Sequence, residues 1–222
     1  MSETIEKPLT YSSPAILERR RRILEETRIL IEEQGIGNFS MNELCARAGV
    51  AKRTLYNAFQ TRERLIAAAI QEYFLEYLSR ISYKSEPGTL QRNIERIVAV
   101  GRRNRKIRNY IRAIMAVYFS SDVNVDIWHA MNSVAVESNL EWIRNLARRR
   151  QLQPWIDPDD LANDIVRYEY ATIHDWARGL LPDEVLVPRL VNSYLSFMAG
   201  ATRGAARDEI VAELRRPERE TG

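Results

Sequence analysis

The sequence predicts an all-α protein: a small N-terminal unit of three helices with a helix-turn-helix at its centre, then a larger helical domain. Three observations predict it. Apolar residues recur at three- and four-residue spacing from Ile16 to Ala201, the period of helices with a buried side. No stretch alternates apolar and polar residues as a half-buried strand does. Helix punctuation falls between the periodic segments, with Ser13-Pro14, Ser40, Thr61 and Asp157-Pro158 as starts and Gly35 and Gly49 as stops.

Residues 1–13 are polar and carry Pro8, which predicts a flexible arm. Ser13 then caps a first helix with Pro14 at its first position. That helix runs to about Gln34, with Ile16, Ile23, Leu24, Thr27, Leu30 and Ile31 on one face. Arg19, Arg20, Arg21 and Arg22 lie opposite, as solvated surface or as phosphate contacts. Ser40 and Glu43 have the spacing of a capping box. Leu44, Cys45 and Ala48 face inward, Gly49 suits the left-handed helix end, and Val50 fills the corner. The next helix opens near Ala51 or Lys52 and turns Leu55 and Phe59 inward. Thr61 caps a long helix through Leu65, Ile66, Ala69, Ile70, Tyr73, Phe74 and Tyr77 to about Ile81. It is long enough to belong to both units and to link them mechanically.

Lys84–Gly88 reads as a turn. Leu90, Ile94, Ile97 and Val98 share the face of a helix ending near Gly101, and Ile107, Tyr110, Ile111, Ile114, Met115 and Tyr118 that of the next. Between them Arg102, Arg103, Arg105, Lys106 and Arg108 read as a solvated loop and helix start, or as a contact for an acidic region or an anionic ligand. Asp122 opens a helix that closes at Arg148–Arg150, cations suited to a helix C-terminus. Asp157-Pro158-Asp159-Asp160 starts a helix whose apolar residues run nearly all the way round, so one buried side needs a partner. After a break at Leu181-Pro182-Asp183, the last major helix carries Leu186, Leu190, Tyr194, Phe197, Met198 and Ala201, with small Ala199, Gly200 and Gly204. These two helices read as half of a symmetric four-helix dimer interface, with Ile165, Tyr194, Phe197, Met198 and Ala201 as candidates. Residues 217–222 are expected to fray.

The outward face of the helix after Gly49 holds Lys52, Arg53, Thr54, Tyr56 and Asn57. A short helix that is apolar inside and rich in cations and hydrogen-bonding groups outside suits the major groove of DNA. The block is similar to the DNA-binding domain of the TetR family of bacterial transcriptional regulators. The resemblance runs from Arg22-Ile23-Leu24 through Gly35, Phe39-Ser40-Met41 and Ala46-Arg47-Ala48-Gly49-Val50 to Thr54-Leu55-Tyr56 with Phe59, and ends at Arg62-Glu63-Arg64-Leu65. Ala51, Arg53 and Ala58 depart from the family's usual residues and bear on the operator sequence. The resemblance implies a three-helix DNA-binding domain over residues 14–66 and a ligand-binding and dimerisation domain over 67–216. For the second domain, only the helix order and the Asp157–Ala162 start support it.

Ser40, Lys52, Thr54, Tyr56, Asn57 and Arg62 are the expected backbone contacts. Arg53 is the candidate guanine reader, because its guanidinium can meet O6 and N7 together, with Thr54 and Asn57 as further base-edge candidates. The expected function is a homodimeric transcriptional regulator, a repressor, on double-stranded DNA with a palindromic operator. A small hydrophobic or aromatic effector is expected among Met115, Tyr118, Phe119, Trp128, His129, Met131, Tyr168, His174 and Trp176. Each of these residues also suits ordinary core. A helical protein–protein adaptor without DNA binding is the alternative.

Composition bounds these readings. The chain has 222 residues, net charge +3 and 28% charged residues, too mild a balance to identify a nucleic-acid binder. Residues 156–222 carry 8 Lys/Arg against 13 Asp/Glu, so the last third is not expected to touch DNA. A lone Cys45 permits no internal disulfide and fits a cytoplasmic setting. His129 and His174 are isolated from clustered acids, so no metal, cofactor or enzymatic activity is expected. No run of apolar residues reaches membrane-spanning length.

Overall fold

A computed structural model describes residues 13–216. The expected arm over residues 1–13, apart from Ser13, and the expected frayed tail over 217–222 lie outside the described residues. The described residues form ten helices: α1 (Pro14–Gln34), α2 (Met41–Ala48), α3 (Lys52–Phe59), α4 (Arg62–Ser79), α5 (Leu90–Lys106), α6 (Arg108–Tyr118), α7 (Val125–Arg148), α8 (Pro158–Ala177), α9 (Asp183–Ala201) and α10 (Gly204–Leu214). Among them the sole β-type pairing is one isolated bridge, Leu152 with Thr202.

The caps explain most boundaries. Ser40 Oγ accepts from the Glu43 amide at 3.1 Å, Thr61 Oγ1 from Arg64 at 3.1 Å, and Asp157 Oδ1 from Asp159 and Asp160 at 2.8 and 3.0 Å. Each satisfies amides that a helix start leaves without partners. Gly49 ends α2 at φ 62°, ψ 42°, the left-handed conformation that costs glycine least. α7 opens at Val125 under Asn124, whose side chain accepts from Asp126, and not at Asp122. α4 stops at Ser79, short of Ile81.

α1 packs on α2, α4 and α6, while α4 also runs along α7. Thus α4 links the two units: Leu65, Ile66 and Ile70 are buried near its start, and Phe74 and Leu78 reach a cavity of the second unit. Arg64 Nε stands 3.6 Å from Asp126 Oδ2 at the start of α7, an exposed tie between the units beside the packing of α1 on α6. α7, α8 and α9 pack in succession, and α5 lies on α9.

Two further sequence expectations fail for physical reasons. Ile16 is 51% exposed, because α1 begins before its neighbours can cover it. Gly101 does not end α5, which continues to Lys106 and makes the basic cluster a helix C-terminus in place of a loop. Gly101 is there for closeness: a Cβ at this position would lie 2.8 Å from Val187 Cγ2 of α9. Gly101→Ala is therefore expected to destabilise the fold by about 1–3 kcal/mol through overpacking. Val187→Ala in the same chain should recover part of the loss in a denaturant titration. Equal stability of Gly101→Ala and the parent would show that α5 and α9 separate freely.

Candidate nucleic-acid interface

α2 and α3 are held from beneath. Leu44, Ala48, Leu55 and Phe59 are buried against Ile23, Leu24, Phe39 and Leu65 of the surrounding elements. The burial of Leu55 and Phe59 fixes the rotation of α3 and leaves Lys52, Arg53, Tyr56 and Asn57 facing solvent, with Thr54 half-buried. Tyr56 is 42% exposed, so its ring is not taken into the core. No acid lies within α3, and neighbouring Glu43 is already paired with Arg47 at 2.9 Å. Lys52 and Arg53 have no partner among the described residues.

The other predicted cations divide. Arg20 Nε donates to Glu72 at 3.1 Å while its guanidinium covers the Phe59 ring at 4.8 Å. Arg22 Nε donates to the Ala48 carbonyl at 2.8 Å, closing the end of α2. Arg21 pairs with Glu18 on the helix surface. Arg20 and Arg22 thus brace the domain from its surface, and a phosphate contact by either would have to be made alongside these bonds. Arg62 is similarly occupied: its guanidinium donates to the carbonyls of Ile36 and Phe39 and lies 4.6 Å from the Phe39 ring. It ties the loop before α2 to the start of α4, so contact with DNA would have to be made without releasing that clamp. Ser40 is exposed at the α2 start, beside amides that an external acceptor could meet.

Ala51 is the N-cap of α3 and provides no side-chain hydrogen bond. Ala51→Ser is expected to raise folding stability by about 1 kcal/mol, the usual worth of a polar cap, seen as a higher midpoint in urea. An unchanged midpoint would mean that the first turn of α3 is already satisfied in another way.

The second unit encloses a cavity of about 70 Å³ between α4, α5, α6, α7 and α8. Met115 and Met131 line it as expected, beside Phe74, Ile111, Ile114, Tyr170 and Ile173. The other effector-site candidates fall elsewhere. Tyr118 is buried next to it, stacked with Trp128 and edge-on to Tyr170. Phe119 is 45% exposed and stacks on His174 at 4.9 Å. His129 faces solvent. Trp176 is core, its indole N–H donating to Asp183 at 2.8 Å. Tyr168 is exposed on the outside of α8, 5.3 Å from Phe197 of α9.

Sequence reasoning missed the polar lining: Arg96, Asn104, Ser138 and Glu169. Burial pushes the Glu169 carboxyl above the usual carboxylate range, and Arg96 opposes the rise. A signal existed. Arg96 and Asn104 lie on the buried side of α5 with Ile97, and Glu169 sits four residues from both Ile165 and Ile173.

The interface candidates also need correction. Ile165, Tyr194, Met198 and Ala201 are each 3% exposed or less within one subunit, because the apolar faces of α8 and α9 turn toward α5 and α7. Phe197 alone of the five remains on the surface, with Tyr168, Asn192, Ser193 and Ser196 around it. Among the described residues no group of three or more His, Cys, Asp or Glu could hold a metal ion. No helix there is long and apolar enough to cross a membrane.

A family model described as bacterial regulatory proteins, tetR family, matches residues 23–69, which span α2, α3 and the parts of α1 and α4 that hold them. An uncharacterized HTH-type transcriptional regulator of Bacillus subtilis (strain 168), YvaF, is 37% identical over 68 residues, covering 30% of this chain and 35% of its own. The chain therefore matches about a third of that relative's length. Over most of the chain the fold is similar to two solved structures. A Rhodococcus sp. protein assigned to the TetR family aligns with TM-score 0.67 and 17% identity, over 82% of this chain and 99% of its own. A tetR-family transcriptional regulator of Streptomyces coelicolor aligns with TM-score 0.62 and 19% identity, over 90% and 88%. At these identities the likeness speaks for the fold.

Proposed function

We propose that the chain, whose residues 23–69 match the model of bacterial regulatory proteins, tetR family, is a homodimeric transcriptional repressor, released from a palindromic operator by a small hydrophobic or aromatic effector. The observation that carries the reading is the solvent face of α3. Lys52, Arg53, Tyr56 and Asn57 stand out from a helix rotated into place by Leu55 and Phe59, with no acid among them. Such a face enters the major groove, where Arg53 reads a guanine and Lys52 meets phosphate. Thr54 and Asn57 reach base edges, and Ser40 and Tyr56 reach the backbone.

Two copies of α3 bind successive major grooves on one side of the duplex, roughly 34 Å apart. The outer faces of α8 and α9, with Tyr168 and Phe197, join the subunits. The effector occupies the second unit beside Phe74 and Leu78 of α4, so its binding biases the helix that carries the start of the DNA-reading unit. A difference of a few kcal/mol in effector affinity between two dimer states shifts occupancy by ten-fold or more. The site of action is the cytosol.

An electrophoretic mobility shift with the DNA flanking the protein's own gene tests the reading. The expected result is a retarded complex that resists competitor DNA and is dissolved by effector. A chain that retards this fragment no better than random DNA would overturn it.

A further inference from the structure

The inner cavity shares a wall with a groove on its outer side. The groove measures about 190 Å³ and is lined by Tyr83, Arg92, Glu141 and Trp142 among others. Leu78, Arg96 and Ser138 line both the groove and the inner cavity of about 70 Å³. Neither space alone reaches the roughly 300 Å³ at which small-molecule pockets begin. Opened into each other across the Leu78–Arg96 wall, they approach it.

The inner side of that wall is polar in an unusual way. Arg96, Asn104 and Glu169 are 8%, 2% and 9% exposed. Each has an atom without a hydrogen-bond partner among the described residues: Arg96 Nε, Asn104 Oδ1 and Glu169 Oε1. Arg96 is fixed at its far end, where Nη2 donates to Asn139 Oδ1 at 2.7 Å. Nearly all buried polar groups find partners, so three around one cavity point to a ligand that supplies them. Ile111, Ile114, Met131 and Ile173 make the remaining wall apolar.

The charges narrow the choice. A cationic head paired with Glu169 would still stand beside the guanidinium of Arg96, and an anionic head paired with Arg96 would stand beside the Glu169 carboxyl, whose own ionised form burial already disfavours. Either would also lose its hydration in an apolar enclosure. A neutral head with both a donor and an acceptor meets neither obstacle. We propose that this site recognises a neutral amphiphile, an apolar or aromatic body ending in an amide or hydroxyl, whose oxygen accepts from Arg96 Nε and whose N–H or O–H donates to Glu169 or Asn104. The inference rests on the effector reading above and specifies its chemistry. The body lies along the apolar wall, entry is from the groove, and Leu78, which lines both spaces, is what it displaces, while Arg96 stays held by Asn139.

Four probes with one body and four heads test this on the full chain: 4-phenylbutanamide, 4-phenylbutan-1-ol, 4-phenylbutylamine and 4-phenylbutanoate. Binding is followed by calorimetry and by the fluorescence of Trp142, which lines the groove. The amide and the alcohol are expected to bind about ten-fold tighter than the amine and the acid, or better. Glu169→Gln should improve the butanoate about ten-fold relative to the amide, and Arg96→Gln should do the same for the amine. Best binding by a charged head would overturn the proposal. So would four heads within about two-fold of each other, no saturable binding by any probe, or variants that fold and keep the parental ranking. If either variant fails to fold, the parental ranking decides alone. DNA binding by the ligand-free protein, measured on the same samples, is independent of this outcome. A failed ranking with intact DNA binding sinks the head-group assignment, whereas absent DNA binding sinks the regulatory reading.

Discussion

Arg53→Ala is expected to weaken operator binding by about 1–3 kcal/mol and to relax the preference at one base pair of each half-site. The side chain is exposed on α3 and makes no bond among the described residues, so its removal leaves the fold in place. Lys52→Ala should behave differently. A phosphate contact carries no sequence information, so its loss weakens all DNA alike and lowers the salt slope by about 1 for each subunit. Binding isotherms on operator and random duplexes at several salt concentrations separate the two. If both variants match the parent on both duplexes, α3 is not the reading helix. Arg62→Ala provides a contrast, since its guanidinium holds the loop carbonyls of Ile36 and Phe39. Its effect should appear in thermal stability as well as in affinity.

Phe197→Asp is expected to yield a folded monomer. Phe197 is 37% exposed in the subunit and packs edge-on to Tyr168, itself 38% exposed. A carboxylate there is solvated in the monomer, and in a dimer interface it would be a buried, unpaired charge. Without the second reading head, the gain from binding two linked half-sites is lost, roughly two to four orders of magnitude in operator affinity. Sedimentation velocity and a half-site titration would show it. Tyr194→Ala is the informative contrast: Tyr194 is 1% exposed and belongs to the subunit's own core. It should unfold the chain before it dissociates anything. A Phe197→Asp protein that remains dimeric would move the interface away from α8 and α9.

Local chemistry made much of the fold legible. Ser40, Thr61 and Asp157 cap the helices that their spacing announces, and the four-residue interval from Leu55 to Phe59 is enough to set the inward face of α3. What stayed hidden depends on residues far apart in the chain. Arg20, Arg22 and Arg62 look like phosphate ligands on a helical wheel, yet their partners lie 52, 26 and 26 residues away. Gly101 reads as a stop until Val187 is placed beside it. The dimer candidates went inward for a related reason: periodicity marks which residues are apolar, but not whether the second apolar side meets another helix of the same subunit. Of the residues expected at the effector site only Met115 and Met131 line the cavity, whose distinguishing groups are Arg96, Asn104 and Glu169 at core spacing on α5 and α8. A charged side chain on an otherwise buried stripe is the stronger sign, because its presence there needs a compensating partner.

The proposed regulation turns on two copies of one exposed helix meeting DNA at a fixed spacing. Selection of bound sequences from a random duplex pool tests that most directly. The expected product is an inverted repeat whose half-site centres lie about one helical turn apart, roughly 34 Å or a multiple of it, with a guanine in each half whose enrichment disappears in Arg53→Ala. A pool that shows no enrichment, or a single unrepeated site bound by one subunit, would contradict it.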